Sequence, residues 1–273
     1  FINHNKLYSA PQNIKGGSLL DEIKLTKSDC SVIHNIYDSL VEKYPEFITK
    51  TKLGEVFGDD INCYSIKNFE MKNFSSFKAK RFKILIINSI HGYEQGCAYT
   101  TAQFFKEMLN NPDDEILGYL LRNVEFQVVP VLNPWGFKNN DRKNGNQVDL
   151  NRNFPQGFTW LKDKEDEIYP GEAPACETET KIIMDFIEKN LDADVVLDYH
   201  NIYGGYPLFY VYGEKDVQLA QSVFTALTDK WVKEYPELPK NEILGLVVGD
   251  YYKGPKQDFD PNRPGDIWEF KKI

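Results

Sequence analysis

The sequence lacks a long apolar run and any basic stretch, and each absence excludes a class of protein. The longest apolar segment, residues 84–90, already contains Asn88 and Ser89, whereas a helix that spans a membrane needs about 20 apolar residues. The net charge is −9, from 41 acidic and 32 basic residues. Phosphate contacts supply most of the affinity for nucleic acids, so this acidic chain is not expected to bind them. The short apolar segment likewise predicts no membrane span.

Cysteine is also scarce, which excludes a zinc ribbon built on cysteine ligands. The chain has four cysteines, and they are far apart, with no C-x-x-C spacing: Cys30, Cys63, Cys97 and Cys176. The four cysteines could form two disulfides or none. The sequence therefore does not show whether the protein works in an oxidising or a reducing compartment. Cys97 has apolar neighbours, and we expect it to be a small core residue and not a nucleophile.

The pattern of a leader peptide is also missing from the first residues of the sequence. The first residue is Phe1, and no basic segment followed by an apolar one comes after it, so no signal peptide is expected within this chain. We expect a polypeptide that has been trimmed, by processing or by excision from a longer one. This expectation slightly favours a secreted or cell-surface location.

What is present is the composition of a globular α/β protein. The 273 residues are 41% hydrophobic and 27% charged, which is ordinary for a folded domain. After an irregular arm over residues 1–27, strands and helices alternate, which predicts one α/β domain with a mostly parallel sheet over residues 28–273. Helices are predicted over residues 28–44, 98–109, 177–190 and 216–235, and strands over residues 49–57, 61–67, 82–90, 124–132, 193–199 and 267–270.

Polar side chains follow the predicted strands at their carboxyl ends, where α/β proteins bind ligands. They are His91, Glu94, Asn133, His200 and Glu269. His91 and Glu94 form an H-x-x-E pair, and zinc accepts this mixture of nitrogen and oxygen ligands. His200 adds the third protein ligand that a catalytic zinc takes. The sequence therefore predicts a metal site at this edge of the sheet.

A long polar loop over residues 138–171 concentrates two arginines, Arg142 and Arg152, among asparagines. Loops of this length are uncommon and usually functional. Guanidinium groups are suited to hold a carboxylate by a fork of hydrogen bonds. The alternative is a solvated loop without a role in binding.

These motifs together resemble the M14 family of zinc carboxypeptidases over residues 28–270. The matching segments are His91-x-x-Glu94, Asn133-Pro134, Arg142-x-Asn144, residues 148–154, Tyr169-Pro170-Gly171, Glu179-Thr180 and His200. The ordered combination is specific, although each segment alone is weak. The resemblance implies three α/β/α layers around a mixed, mostly parallel twisted sheet. The spacing from Arg142 to Arg152 looks more like bacterial members than pancreatic ones.

The resemblance also implies one zinc ion and its surroundings. Carried over position by position, His91, Glu94 and His200 would be the zinc ligands. Asp149 would be the carboxylate that orients His91, because metal-bound imidazoles generally need such a partner.

For catalysis, the resemblance implies that Arg142 polarises the scissile carbonyl and holds the oxyanion. Glu269 would be the general base, since it is the glutamate in a predicted late strand and follows His200 by 69 residues. A charge in an apolar strand is costly to bury, which favours a functional role. The chain ends four residues after Glu269, so we expect a shortened C-terminus or a module of something longer.

For substrate binding, the resemblance implies that Asn151 and Arg152 hold a terminal carboxylate. A tyrosine that faces the substrate precedes the late glutamate in the family, and Tyr251 and Tyr252 are both candidates here. We therefore expect removal of a C-terminal residue from an ordinary peptide or from a peptidoglycan stem peptide that ends in diaminopimelate.

Two other functions compete with this interpretation. An aspartoacylase-like amidohydrolase would use the same metal site on another amide, although Tyr169-Pro170-Gly171 favours the peptidase branch. A catalytically silent binding module of a surface or phage tail protein would fit the trimmed ends. The intact set of ligand positions argues against the silent module, because an active enzyme needs the full set.

Overall fold

The structure of the protein is a computed structural model that describes residues 30–67, 81–155, 158–160, 163–200, 208–212 and 245–249. The chain divides into two compact units, residues 1–201 with 264–273, and residues 202–263. The predicted arm over residues 1–27, the helix over 216–235 and the strand over 267–270 lie outside the described residues. No helix within the described residues has the length and apolar character to cross a membrane.

The first unit alternates helices and strands. Its helices are α1 (Cys30–Lys43), α2 (Gln95–Asn110), α3 (Glu115–Asn123), α4 (Pro134–Asn139) and α5 (Thr178–Glu188), with a 3-10 turn at Leu150–Arg152. Its strands are β1 (Ile48–Val56), β2 (Asp59–Ile66), β3 (Phe82–Asn88), β4 (Val124–Val129) and β5 (Val195–Tyr199). In the second unit, β6 (Leu208–Tyr212) pairs in parallel with β7 (Gly245–Gly249).

The five strands of the first unit form one mixed sheet in the order β1-β2-β4-β3-β5. β1 and β2 are antiparallel, as are β2 and β4, whereas β3 is parallel to both β4 and β5. The predicted mixed α/β sheet is therefore confirmed. The parallel pairs lie on the side of the sheet that carries the metal-ligand motifs.

Helices cover both faces of this sheet because neighbouring residues of a strand point to opposite sides. In β3, Ile86 packs in the apolar cluster that α1 and α2 supply, while Leu85 and Ile87 pack in a second cluster with Ile183 of α5. The apolar run of β3 is thus buried on both faces, as in other parallel strands. This arrangement gives the predicted three layers.

The sequence prediction missed α3 and α4, which are both capped by polar side chains. Asp114 Oδ1 accepts hydrogen bonds from the backbone N–H groups of Ile116 and Leu117 at the start of α3. Asn133 accepts one from Gly136 N, and Pro134 occupies the first turn of α4. Neither helix start is distinctive in the sequence, because Asn, Asp and Pro favour turns as well as helix caps.

All four cysteines of the chain lie in described residues. No disulfide joins any two of them, which decides between the two alternatives that the sequence left open. Cys97 is buried, with 7% of its surface exposed, which confirms its expected place in the core.

The segment between α4 and the 3-10 turn, residues 140–149 (the Arg142 loop), is fixed to the start of α5 by buried carboxylates. Asn144 Nδ2 donates to Glu177 Oε2 at 2.7 Å and to Glu179 Oε1 at 3.2 Å, and Asn146 Nδ2 also donates to Glu177. Burial, with a smaller contribution from the charge of Glu177, outweighs the Asn144 hydrogen bond and raises the pKa of Glu179 to about 7. The position of Arg142 therefore depends on this buried polar contact two residues away.

The turn between His91 and Glu94 packs directly on α4. A β-carbon at Gly92 would overlap backbone atoms of Gly136. These atoms cannot move aside as the end of a flexible side chain can. Tyr93 N also donates to Asp141 O at 3.0 Å. The metal-ligand turn and the start of the Arg142 loop are thus held together by backbone contact.

We expect Gly92→Ala to lower the free energy of unfolding by about 2 kcal/mol or more, because backbone cannot move aside as a side chain can. Urea denaturation followed by circular dichroism measures this change. Gly96→Ala is the matched control, since Gly96 is exposed in the first turn of α2, where alanine is neutral or stabilising. Equal stability of Gly92→Ala and the parent would contradict the packing.

We expect the stability of the parent to fall as the pH rises from about 4.5 to about 7, relative to Glu179→Gln. The pKa of Glu179 is higher in the folded state, about 7 against 4.5, so its contribution is full at low pH and is lost as the carboxyl ionises. The two urea-derived profiles should diverge by about 3 kcal/mol by pH 8. Glu165→Gln, at an exposed position, should follow the parent, and parallel profiles for Glu179→Gln would refute the shift.

Candidate metal centre

Three predicted ligands meet at the carboxyl ends of two neighbouring parallel strands. His91 follows β3 and His200 follows β5, and these strands pair up to Asn88 and Tyr199. Glu94 precedes α2 as its N-cap residue, but its side chain makes no capping hydrogen bond, so the carboxylate is available to the site. The ligand atoms of His91, Glu94 and His200, which together form the metal group, all lie within 4.8 Å of one another.

Both imidazoles direct Nδ1 toward the Glu94 carboxylate. The distance from His91 Nδ1 to Glu94 Oε1 is 2.9 Å, and that from His200 Nδ1 to Glu94 Oε2 is 2.8 Å. The two Nδ1 atoms are 3.2 Å apart. Burial alone would raise the pKa of Glu94, but the hydrogen bonds from His200 and His91 outweigh it and lower the pKa to about 2.

This donor set fits a zinc ion. Zinc binds imidazole nitrogen and carboxylate oxygen at about 2.0–2.2 Å in a tetrahedral arrangement, which separates neighbouring donors by about 3.3 Å. The three observed distances, 2.8, 2.9 and 3.2 Å, are close to that separation. Three protein ligands also match a catalytic site, which keeps a position open.

The second ring nitrogen of each histidine faces a carboxylate. His91 Nε2 lies 3.3 Å from Asp149 Oδ1, and His200 Nε2 lies 2.7 Å from Asp198 Oδ2. The contact between His91 and Asp149 is the one that the sequence analysis expected. Asp198 was not anticipated, although it precedes His200 by two residues in a predicted strand and therefore shares its side of the sheet.

Arg142 binds the other oxygen of Asp149. Its Nε and Nη2 donate to Asp149 Oδ2 at 2.9 and 2.8 Å, and Nη1 makes a longer hydrogen bond of 3.4 Å to Tyr93 Oη. Burial raises the pKa of Asp149, but the hydrogen bond from His91 and the charges of His91, Arg142 and Arg152 hold it well below its usual range. Asp149 thus remains ionised and joins Arg142 to His91.

Asn151 and Arg152 lie in the 3-10 turn that follows Asp149, and both are buried. Asn151 N donates to Asp149 Oδ1 at 3.0 Å, and Arg152 Nη1 donates to Asn151 O at 3.0 Å. The two residues predicted to bind a substrate carboxylate are therefore on the same short segment as Asp149. Their role in binding stays a prediction.

Asn133 does not belong to the metal group within the described residues. It is fully buried, and its Nδ2 donates to Ile90 O and Lys143 O at 3.3 and 3.2 Å while its Oδ1 caps α4. It therefore ties the end of β3 to the Arg142 loop. Glu269, Tyr251 and Tyr252 lie outside the described residues, and their predicted roles stay predictions.

Comparisons of the sequence and the structure with known proteins point to one family. The Peptidase M14 family model, described as zinc carboxypeptidase, matches residues 33–256. Carboxypeptidase A4 of Mus musculus is 28% identical over 202 residues, which are 66% of this chain and 46% of that protein. Human carboxypeptidase O is 30% identical over 170 residues, 55% of this chain and 44% of that protein. The chain thus spans less than half of the length of these two relatives.

A solved structure supports the fold. The crystal structure of thrombin activatable fibrinolysis inhibitor matches with a TM-score of 0.68 and 18% identity, over 90% of this chain and 63% of that one. Animal and Burkholderia cenocepacia carboxypeptidases are both among the similar proteins, so the expected closer likeness to bacterial members stays a prediction. With most of its length matched by the family model, the chain belongs to the zinc carboxypeptidases of the M14 family, whose metal is zinc.

Proposed function

We propose that this chain is a zinc-dependent metallocarboxypeptidase that hydrolyses the last peptide bond of a substrate. The observation that carries the proposal is the convergence of His91, Glu94 and His200, with Arg142 held beside them by Asp149. A metal ion held by these three ligands and a fixed guanidinium would both stabilise the oxyanion that forms when water attacks a carbonyl. Membership of the family supports the same reaction.

The metal group would hold the ion that acts as the Lewis acid of this reaction. His91 Nδ1, His200 Nδ1 and a Glu94 oxygen would hold the ion, since these atoms already face one another. When bound, zinc polarises a carbonyl and lowers the pKa of water to about 7.

Arg142 would donate hydrogen bonds to the scissile carbonyl oxygen as negative charge develops on it. Two of its nitrogens are already bound to Asp149, so the guanidinium has a fixed direction. Nη1 bonds only at 3.4 Å to Tyr93 Oη, a long distance that leaves this N–H suited to a closer substrate oxygen. A donor fixed before the reaction costs no reorganisation in the transition state.

Asn151 and Arg152 would hold the terminal carboxylate of the substrate. Arginine forms paired hydrogen bonds with a carboxylate, and the turn that carries both residues begins next to Asp149. Recognition of a free carboxyl terminus separates this activity from that of an endopeptidase. Tyr251 and Tyr252 remain the candidates for the tyrosine that faces the substrate.

Glu269 would act as the general base. It would take the proton from the attacking water and deliver it to the leaving amine nitrogen, the usual pair of proton transfers in this chemistry. Support for this role comes from the family resemblance and from the position of Glu269 in a predicted strand.

The substrate class divides into two candidates, an ordinary peptide and a peptidoglycan stem peptide that ends in diaminopimelate. Both end in a carboxylate that Asn151 and Arg152 would bind. A panel of C-terminal dipeptides, muropeptides and N-acetylaspartate distinguishes them from each other and from an aspartoacylase-like reaction.

We expect the parent to hold about one zinc and to cleave a member of this panel, and Glu269→Gln to hold zinc with kcat lower by about 10²–10⁴. Metal analysis and mass spectrometry of the products measure both quantities. Glu165→Gln is the control with an exposed glutamate and should match the parent. A fully active Glu269→Gln would exclude this base, and bound zinc without any cleavage would favour a silent binding module.

We expect Arg142→Ala and Arg152→Ala to affect different kinetic constants on the best substrate of the panel. Arg142→Ala should lower kcat by about 10²–10³, because its hydrogen bond strengthens in the transition state. Arg152→Ala should mainly raise KM, because the terminal carboxylate is bound in both states. An amidated substrate should lose the KM difference between Arg152→Ala and the parent. The same pattern for both variants would contradict the assignment.

A further inference from the structure

Asp198 is a buried carboxylate with no role in the reaction described above. Its side chain is fully buried, and its Oδ2 accepts the hydrogen bond from His200 Nε2 at 2.7 Å. Its other oxygen, Oδ1, is buried and has no hydrogen-bond partner among the described residues. A carboxylate in such a place is costly, so the contact with His200 must offset much of this cost.

Asp198 differs in this respect from Asp149, the carboxylate behind the other histidine. Asp149 Oδ1 contacts His91 and accepts from Asn151 N, while Oδ2 receives two hydrogen bonds from Arg142. The charge of Asp149 is thus shared between an imidazole, a backbone amide and a guanidinium. Among the described residues, the hydrogen bond of the Asp198 side chain goes to the imidazole of His200.

The backbone of Asp198 is held more firmly than that of His200. Asp198 pairs with Ile87 within the parallel ladder between β5 and β3, whereas the ladder ends at Tyr199. His200 lies one residue beyond that end. The direction of its ring therefore depends on side-chain contacts, and Asp198 supplies one from a fixed position.

A hydrogen bond to a carboxylate also decides which ring nitrogen carries the proton. Neutral imidazole has one N–H donor and one nitrogen with a lone pair. An ionised carboxylate only accepts hydrogen bonds, so Nε2 must carry the proton. In the neutral ring the lone pair is then on Nδ1, where it can bind a cation. Nδ1 lies 2.8 Å from Glu94 Oε2 and 3.2 Å from His91 Nδ1, and without a cation it can carry a second proton toward Glu94.

We propose that Asp198 is the positioning residue of His200, which holds the imidazole as the Nε2–H tautomer with Nδ1 directed into the metal group. Each histidine of the centre then has its own buried carboxylate, Asp149 for His91 and Asp198 for His200. This inference rests on the proposed zinc-dependent function. It adds that the free energy of metal binding depends on a residue outside the ligand set.

The test compares zinc affinity in the full chain by competition with a chromophoric chelator. Partners that orient metal ligands typically contribute 10–100-fold to affinity, so Asp198→Ala should bind zinc about 10–100-fold more weakly than the parent. Asp198→Asn should be intermediate, because the amide oxygen still accepts from Nε2. Asp194→Ala and Asp194→Asn are matched controls, since Asp194 immediately precedes β5 and its carboxylate accepts from Lys83 N.

Long-range proton–nitrogen NMR spectra of the histidine rings add a readout that a purely structural role would not move. At a pH high enough for the His200 ring to be neutral, the metal-free parent and Asp194→Asn should both carry the single ring proton on Nε2, whereas Asp198→Ala should show a mixture of tautomers. Circular dichroism establishes that each variant is folded. If Asp198→Ala does not fold, Asp198→Asn supplies the affinity comparison with almost no change in shape.

The outcomes separate this inference from the function on which it rests. Zinc affinities of both Asp198 variants within twofold of the parent would overturn the inference and leave the proposed function intact. Bound zinc without peptide cleavage, with weaker binding in Asp198→Ala, would overturn the activity and support the inference. A parent chain that binds no zinc would overturn both.

Discussion

The arrangement of the site depends on the two oxygens of Asp149, which bind two different positive or proton-donating groups. Oδ1 faces His91 Nε2 and Oδ2 binds the Arg142 guanidinium. Because the carboxylate is fully buried and its pKa is held low, neither partner can leave without exposing an unpaired charge in the core, which is strongly destabilising. The metal ligand and the proposed oxyanion donor therefore keep a fixed relation to each other.

The sheet makes this contact possible by bringing distant parts of the chain to one edge. His91 and His200 are 109 residues apart in sequence, and the parallel pairing of β3 with β5 brings them together. Asn133 then ties the same edge to the Arg142 loop, and Asn144 ties that loop to α5. The loop carries long polar side chains, yet buried hydrogen bonds at the adjacent residues Lys143 and Asn144 hold it next to the centre.

The sequence predicts those parts of the site whose signal is local. Three features are visible within short segments of the sequence. They are the H-x-x-E spacing of His91 and Glu94, the apolar runs of β3 and β5, and the position of His200 after its strand. The contacts of Asp198 and Glu179 do not, because a carboxylate in the sequence predicts an exposed side chain, and only contacts made in the fold bury these two. The helices α3 and α4 were missed for a related reason, since Asp114 and Asn133 fit a turn as well as a cap.

The electrostatics of the centre favour a bound cation independently of the family resemblance. Glu94, Asp149 and Asp198 all have almost fully buried side chains, and the pKa values of Glu94 and Asp149 are shifted downward, so they remain ionised. Burial would lower the pKa of His200, but the carboxylates of Asp198 and Glu94 raise it well above its ordinary value. The space between the Nδ1 atoms of His91 and His200 thus favours a positive charge. A proton supplies this charge when no metal is bound, and a metal ion supplies it when one is. Since a divalent ion neutralises more of this charge than a proton does, the arrangement is complementary to a metal.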